Sequence, residues 1–187
     1  NEVLKRINMT HYDCYPFNSV HKAGHYTDDT QMSVAVAKAL YYGCFSAQTL
    51  ADSFVSEYNA NKIIGYSREQ SALLERSVTG KEFLEQIKHS DKNGGVMRVL
   101  HIGVQMDIRK VMEDAVDNAQ VGYNTDKGIA SSVAIALASH YFFHALGPEK
   151  EMFEFCLDNM RGFDKESLEY LTQVSYMQNL DPNILFG

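Results

Sequence analysis

Proline and cysteine are both scarce in this chain of 187 residues, at three each, and each shortage excludes something. The prolines, Pro16, Pro148 and Pro182, leave the stretch from Phe17 to Gly147 without a helix breaker, whereas a β-sandwich needs a turn every ~8–12 residues. An all-β fold is therefore disfavoured. Cys14, Cys44 and Cys156 are odd in number, far apart and in no Cys-x-x-Cys pair. That excludes a disulfide frame and a thiolate zinc cluster, and implies free thiols in a reducing compartment. No apolar run reaches the length of a membrane span, and the polar start Asn1 to Asn8 lacks the apolar centre of a signal peptide. Positive charge is also the minority, with 17 Lys and Arg against 24 Asp and Glu and a net charge of −7. Such a chain has no diffuse field to attract a phosphate backbone, although a small phosphorylated ligand could be held locally at a helix start. The expectation is a soluble, cytoplasmic protein with neither a nucleic acid nor a membrane as partner.

What is present is ordinary globular material, with 45% hydrophobic, 22% charged and 11% aromatic residues, enough to fold and to bury one core. Length predicts a single domain over residues 1–187. Because the chain begins at Asn1 without methionine and stops just after the apolar run Ile184 to Phe186, truncation at both ends is expected.

Hydrophobic periodicity is helical nearly throughout. Ala47, Leu50, Ala51, Phe54, Val55 and Tyr58 follow the i, i+3, i+4, i+7 rule, with Ser46 placed as N-cap. Ser67 with Gln70, and Thr79 with Glu82, match capping boxes and predict helices to about Val78 and from Gly80 to about Ile87. Val111, Met112, Ala115, Val116 and Ala119 form another stripe that ends near Gly122. Residues 127–146 are apolar almost all the way round and predict a buried central helix. A second small-residue helix is expected from Asp28 to about Tyr42, able to approach the first closely. Glu149 to Met160 and Lys165 to Val174 complete the set, with Gly162 between them as a C-cap. The expected fold class is all-α, an orthogonal bundle of about eight or more helices.

Two segments carry chemistry. In Ala23-Gly24-His25-Tyr26-Thr27-Asp28-Asp29-Thr30-Gln31-Met32, hydroxyls and two adjacent carboxylates crowd the first turn of a buried helix. The helix dipole favours each acid there by about 0.3–1 kcal/mol, but their mutual repulsion calls for a countercharge. A divalent cation of the Mg2+ or Mn2+ kind prefers such oxygen donors, and no neighbouring Cys or paired His argues for zinc. A plain reading also stands, in which Thr27 caps the helix and the aspartates decorate its first turn. In Ser90-Asp91-Lys92-Asn93-Gly94-Gly95-Val96-Met97-Arg98, two glycines precede an apolar helix expected from about Val96, whose free N–H groups could face a phosphate. A loop before a helix also contains Gly-Gly without any ligand.

Together these segments resemble the ADP-ribosylglycohydrolases, all-α hydrolases related to the dinitrogenase-reductase activating enzymes. Tyr26-Thr27-Asp28-Asp29-Thr30-Gln31-Met32 is similar to their Y-T-D-D-T-x-M signature, and Asn93-Gly94-Gly95-Val96-Met97-Arg98 with Ile102-Gly103 to their N-G-x-x-M-R-x-x-P-I-G segment. The resemblance implies cleavage of a glycosidic bond to ADP-ribose, with ADP-ribose or an ADP-ribosylated protein as partner. It further implies a binuclear centre of two divalent cations, Mg2+ or else Mn2+, with Thr27, Asp28 and Asp29 as ligands and the two aspartates as the catalytic pair. Asn93, Gly94, Gly95, Met97 and Arg98 would shape the phosphate and ribose pocket. Metal-bound water and negative charge beside the sugar suit an oxocarbenium-like transition state.

The chain departs from the pattern in four places. The closing Asp-x-Asp-Thr motif has no counterpart, with Asp181 the one late carboxylate near a turn; the opening Gly-Asp-Ala-x-Gly is absent, leaving Glu2 as its nearest acid. Thr125-Asp126 stands for Thr-His, and His101 for proline. A noncatalytic relative, akin to the lens crystallins that resemble this family, is the rival expectation. Elsewhere, His140 with His144 lacks a third metal ligand, and Tyr141, Phe142 and Phe143 are expected in the core.

Overall fold

The computed structural model describes residues 23–163 and 165–176. Glu2, Cys14, Asp181 and the terminal apolar run lie outside the described residues, as does the side chain of Asn93. Among the described residues there are eight α-helices and no strand: α1 Asp28–Tyr41, α2 Ala47–Ala60, α3 Arg68–Arg76, α4 Gly80–Gln86, α5 Ile108–Gln120, α6 Asp126–Phe143, α7 Met152–Asn159 and α8 Lys165–Tyr176. The all-α expectation holds.

The helix starts follow the capping chemistry. The Ser46 hydroxyl accepts from the Thr49 N–H while the Thr49 hydroxyl oxygen accepts from the Ser46 N–H, closing a box on α2. Ser67 and Thr79 accept from the amides of Gln70 and Glu82. The Glu82 carboxylate takes the N–H of Val78 instead of Thr79, so that box closes one residue early. On α2 the predicted stripe is buried from Leu50 to Tyr58. Ala130, Val133, Ala136 and Leu137 on α6 are sealed from solvent, each such side chain contributing roughly 1–3 kcal/mol of burial according to its size.

Three expectations fail. No α-helix begins at Val96; two 3-10 turns, Asn93–Arg98 and Leu100–Val104, replace it. Gly94 and Gly95 are poor helix formers, and the inward hydrogen bonds of Arg98 hold the chain against the core. Second, the small-residue faces of α1 and α6 mainly receive this 93–104 segment instead of each other. Gly103 explains the closeness, since a Cβ there would sit 2.6 Å from the His140 backbone nitrogen and 2.8 Å from the Ala136 carbonyl oxygen. Third, only Tyr141 of the aromatic trio is buried, while Phe142 and Phe143 are exposed. Their positions at the end of α6 carry them past the last core turn. No helix among the described residues is long and apolar enough to cross a membrane.

Candidate functional site

The fold brings the two chemical segments together at the start of α1. Thr27 takes extended backbone as N-cap, yet its side chain makes no capping hydrogen bond, so the hydroxyl is not consumed by the helix. Asp28 is half-buried and Asp29 exposed. Burial, and secondarily the Asp29 charge, hold the Asp28 carboxyl above the usual carboxylate range. A group in that state gains from a nearby positive charge.

Residues 61–66, which join α2 to α3, press against this turn. The Asp28 N–H donates to the Ile64 carbonyl at 3.1 Å. Gly65 lies directly against the Asp28 carboxylate, at a φ of +114° that disfavours any side chain. Gln31 secures the arrangement from below. Buried on an otherwise apolar face, it donates to the carbonyls of Glu57 at 3.0 Å and Asn61 at 2.8 Å and accepts from the Tyr66 hydroxyl at 2.7 Å. The Asn61 amide in turn donates to the Tyr26 hydroxyl at 3.0 Å.

The second segment meets α1 one turn further on. The single Ser33 hydroxyl proton is shared between the Asp29 carbonyl at 2.7 Å and the Met97 carbonyl at 3.3 Å, which ties the acid turn to the 3-10 turn. Arg98 then points inward and is 1% exposed. Its guanidinium donates to Asn118 Oδ1 at 2.8 Å, the Asn118 carbonyl at 3.0 Å, the Val121 carbonyl at 2.8 Å and the Met32 sulfur at 3.1 Å. It also stands 4.4 Å from the centre of the Phe54 ring and 5.5 Å from that of Tyr123. No carboxylate is among these partners. Burial pushes its pKa down to about 10, which leaves it charged at neutral pH. Asn118 closes the network by donating to the Gly95 carbonyl at 2.9 Å.

Tyr123 lies between α5 and α6 with its phenol against Gly94 and its ring edge against Gly95. The Tyr66 and Tyr123 hydroxyls are both held above the ordinary phenol range, first by burial; the Asp28 charge adds to both, and Arg98 opposes it. They therefore remain protonated.

Of the residues marked in the sequence, Thr27, Asp28 and Asp29 gather at one turn, Met97 reaches α1 through Ser33, and Gly94 and Gly95 lie against Tyr123. Arg98 lies beneath them, and all its named hydrogen bonds are internal. Gly65, Tyr66, Gln31 and Tyr123 were not singled out. Gln31 carried a signal, as the one polar side chain on the buried face of α1, and Gly65-Tyr66 another, as a Gly-Tyr pair between two capped helices.

The oxygen donors of Thr27, Asp28 and Asp29 suit one hard divalent cation, given a free hydroxyl and a half-desolvated carboxylate. They do not complete a pair of ions. Among the described residues no group of three or more His, Cys, Asp or Glu side chains converges.

These features define a class: an all-α protein with an acidic helix start braced by a glycine-bearing 3-10 turn and a buried cation. The chain matches the family model for ADP-ribosylglycohydrolase over residues 2–182, and it belongs to that family. A comparison with curated proteins finds no significant match.

Proposed function

We propose that this chain is a hydrolase that cleaves the glycosidic bond between ADP-ribose and a modified protein side chain or small molecule. The observation that carries this reading is the Thr27-Asp28-Asp29 turn. A hydroxyl that makes no cap, a carboxyl whose pKa burial raises and a second carboxylate stand on the helix start whose Tyr26 to Met32 sequence resembles the family signature. Thr27, Asp28 and Asp29 would hold divalent cation, Mg2+ foremost and Mn2+ as the other candidate, and a centre of two ions would need further ligands. Bound there, the cation would supply a more acidic water and charge compensation beside the sugar. The chain's own groups have separate tasks. The acid turn supplies negative charge for an oxocarbenium-like transition state. Gly94 and Gly95 let the segment that also holds Asn93 and Met97 pack directly on Tyr123, which fixes the backbone that would face the phosphate and ribose. Arg98 acts through the backbone it anchors, with its positive charge beneath.

Calorimetry with Mg2+ and ADP-ribose tests the reading. Asp28→Ala and Asp29→Ala are expected to abolish metal-dependent ADP-ribose binding while helical circular dichroism persists. Unchanged binding in both variants rejects the assignment. A second reading, a noncatalytic relative that keeps the fold as a binding or crystallin-like structural protein, is favoured by one observation: no third acidic side chain among the described residues joins Asp28 and Asp29. ADP-ribose binding without turnover of ADP-ribosylated protein would select it.

A further inference from the structure

We propose that the cleft between α3 and residues 86–92 is a docking groove for an acidic polypeptide segment. The cleft has a volume of about 830 Å³, within the range of a binding site. Arg68 and Arg76 line one wall and Lys88 and Lys92 the other, with Glu69 as the sole carboxylate in the lining. None of these four cations is ion-paired with a described carboxylate. Every other surface Lys or Arg among the described residues except Lys150 is so paired, from Lys38 with Glu57 to Lys165 with Glu169. In a chain of net charge −7, four of the five surface cations without an ion-pair partner among the described residues thus line one concavity. Like charges placed side by side repel, and a polyanion in the groove relieves that repulsion.

The rest of the lining favours a peptide over a nucleic-acid strand. Single strands are held by successive aromatic platforms, but the lining offers only Tyr123, whose ring already lies against Gly95 and Arg98, and the His89 imidazole, whose Nδ1 accepts from the Asn124 N–H. Two side-chain amides instead offer what a peptide backbone needs. Gln70 presents a donor and an acceptor, and Gln86, whose Nε2 is given to the Glu82 carbonyl, keeps its oxygen to accept a peptide N–H. Leu73 and Ile87 provide an apolar floor for side-chain stems. Tyr123 borders both this groove and Gly94, so the groove adjoins the second motif segment. That this peptide belongs to the ADP-ribosylated protein rests on the hydrolase reading; the binding itself does not.

The test is fluorescence anisotropy of a labelled hexaglutamate peptide with the full chain, using a thymidine hexanucleotide of equal length and inorganic pyrophosphate as competitors. Expected results are binding that weakens with salt, poor competition by both competitors, and a loss of at least about tenfold in the Arg68→Glu/Arg76→Glu double variant. Lys88→Ala/Lys92→Ala, on the opposite wall, weakens binding in the same direction, and Lys150→Glu leaves it unchanged. The proposal is overturned if hexaglutamate does not bind, if Lys150→Glu costs as much as the double reversal, or if the oligonucleotide or pyrophosphate displaces the peptide at lower concentration. Because no turnover is measured, these outcomes are independent of metal binding at Asp28 and Asp29.

Discussion

The two segments that carry the family signature are opposites in how they treat their polar groups. Around Arg98 every donor with a named bond is spent inside the protein, on three oxygens and a sulfur. Around Thr27 and Asp28 the side chains are held only by local backbone, with a hydroxyl that does not cap and a carboxyl that meets the N–H groups of its own turn yet stays above its ordinary range through burial. The difference separates foundation from candidate site. A buried charge without a counterion is tolerated only where hydrogen bonds enclose it, so the second motif is chiefly a joint that sets the height of the Gly94-Gly95 backbone.

The comparison breaks most visibly at Arg98. Arg98→Met leaves Asn118 Oδ1 and the Val121 carbonyl without donors and the Asn118 carbonyl with the Val121 N–H alone, and stability is expected to fall by about 3–4 kcal/mol in urea unfolding. Equal stability of Arg98→Met and the parent would refute the role as foundation. Gly65→Ala comes next, at about 2–3 kcal/mol, because the backbone conformation there is strained for a side chain and the new Cβ strikes the Asp28 carboxylate. It should also weaken Mg2+ binding; a variant that unfolds more easily yet binds Mg2+ as before would detach the loop from the acid turn. Gln31→Leu removes three hydrogen bonds and is expected to cost about 1–2 kcal/mol, with a larger loss of metal affinity than Gln31→Glu.

The smallest effect has the opposite sign. Asp28 has a raised pKa in the folded state, so the folded protein holds more protons than the unfolded one just above the ordinary carboxylate pKa, and stability falls as pH rises through that window. Asp28→Asn should remove this slope and stabilise the metal-free protein at neutral pH by less than about 1 kcal/mol, since the group is half-exposed and screened. Metal added to the parent should restore the difference. A stability difference between the parent and Asp28→Asn that stays flat from pH 4 to 7 would show that the Asp28 carboxyl is not strained, since the subtraction removes other titrating groups such as Asp117, whose carboxyl burial also raises.

Much of this contrast could be read before any coordinates. Hydroxyl caps at Ser46, Ser67 and Thr79 announced three helices because their signal is local, a side chain two or three residues from the amide it satisfies. The acid turn was legible for the same reason. What escaped was non-local. The inward turn of Arg98 depends on carbonyls 20 and 23 residues away, and nothing in Asn93 to Arg98 announces where they are. The place of Gly65 beside Asp28 is set by Gln31 reaching residues 26, 30 and 35 positions on. The small residues of α1 and α6 suggested helix against helix, whereas their flat surfaces admit a 3-10 segment equally well.

Tyr66 and Ser67 are consecutive residues with separate duties: the first is tied to Gln31, the second caps α3, one bank of the cationic groove. One peptide unit thus separates the anchor at the root of α1 from the first residue of the groove wall, so neither region can be rebuilt without resetting the backbone of the other.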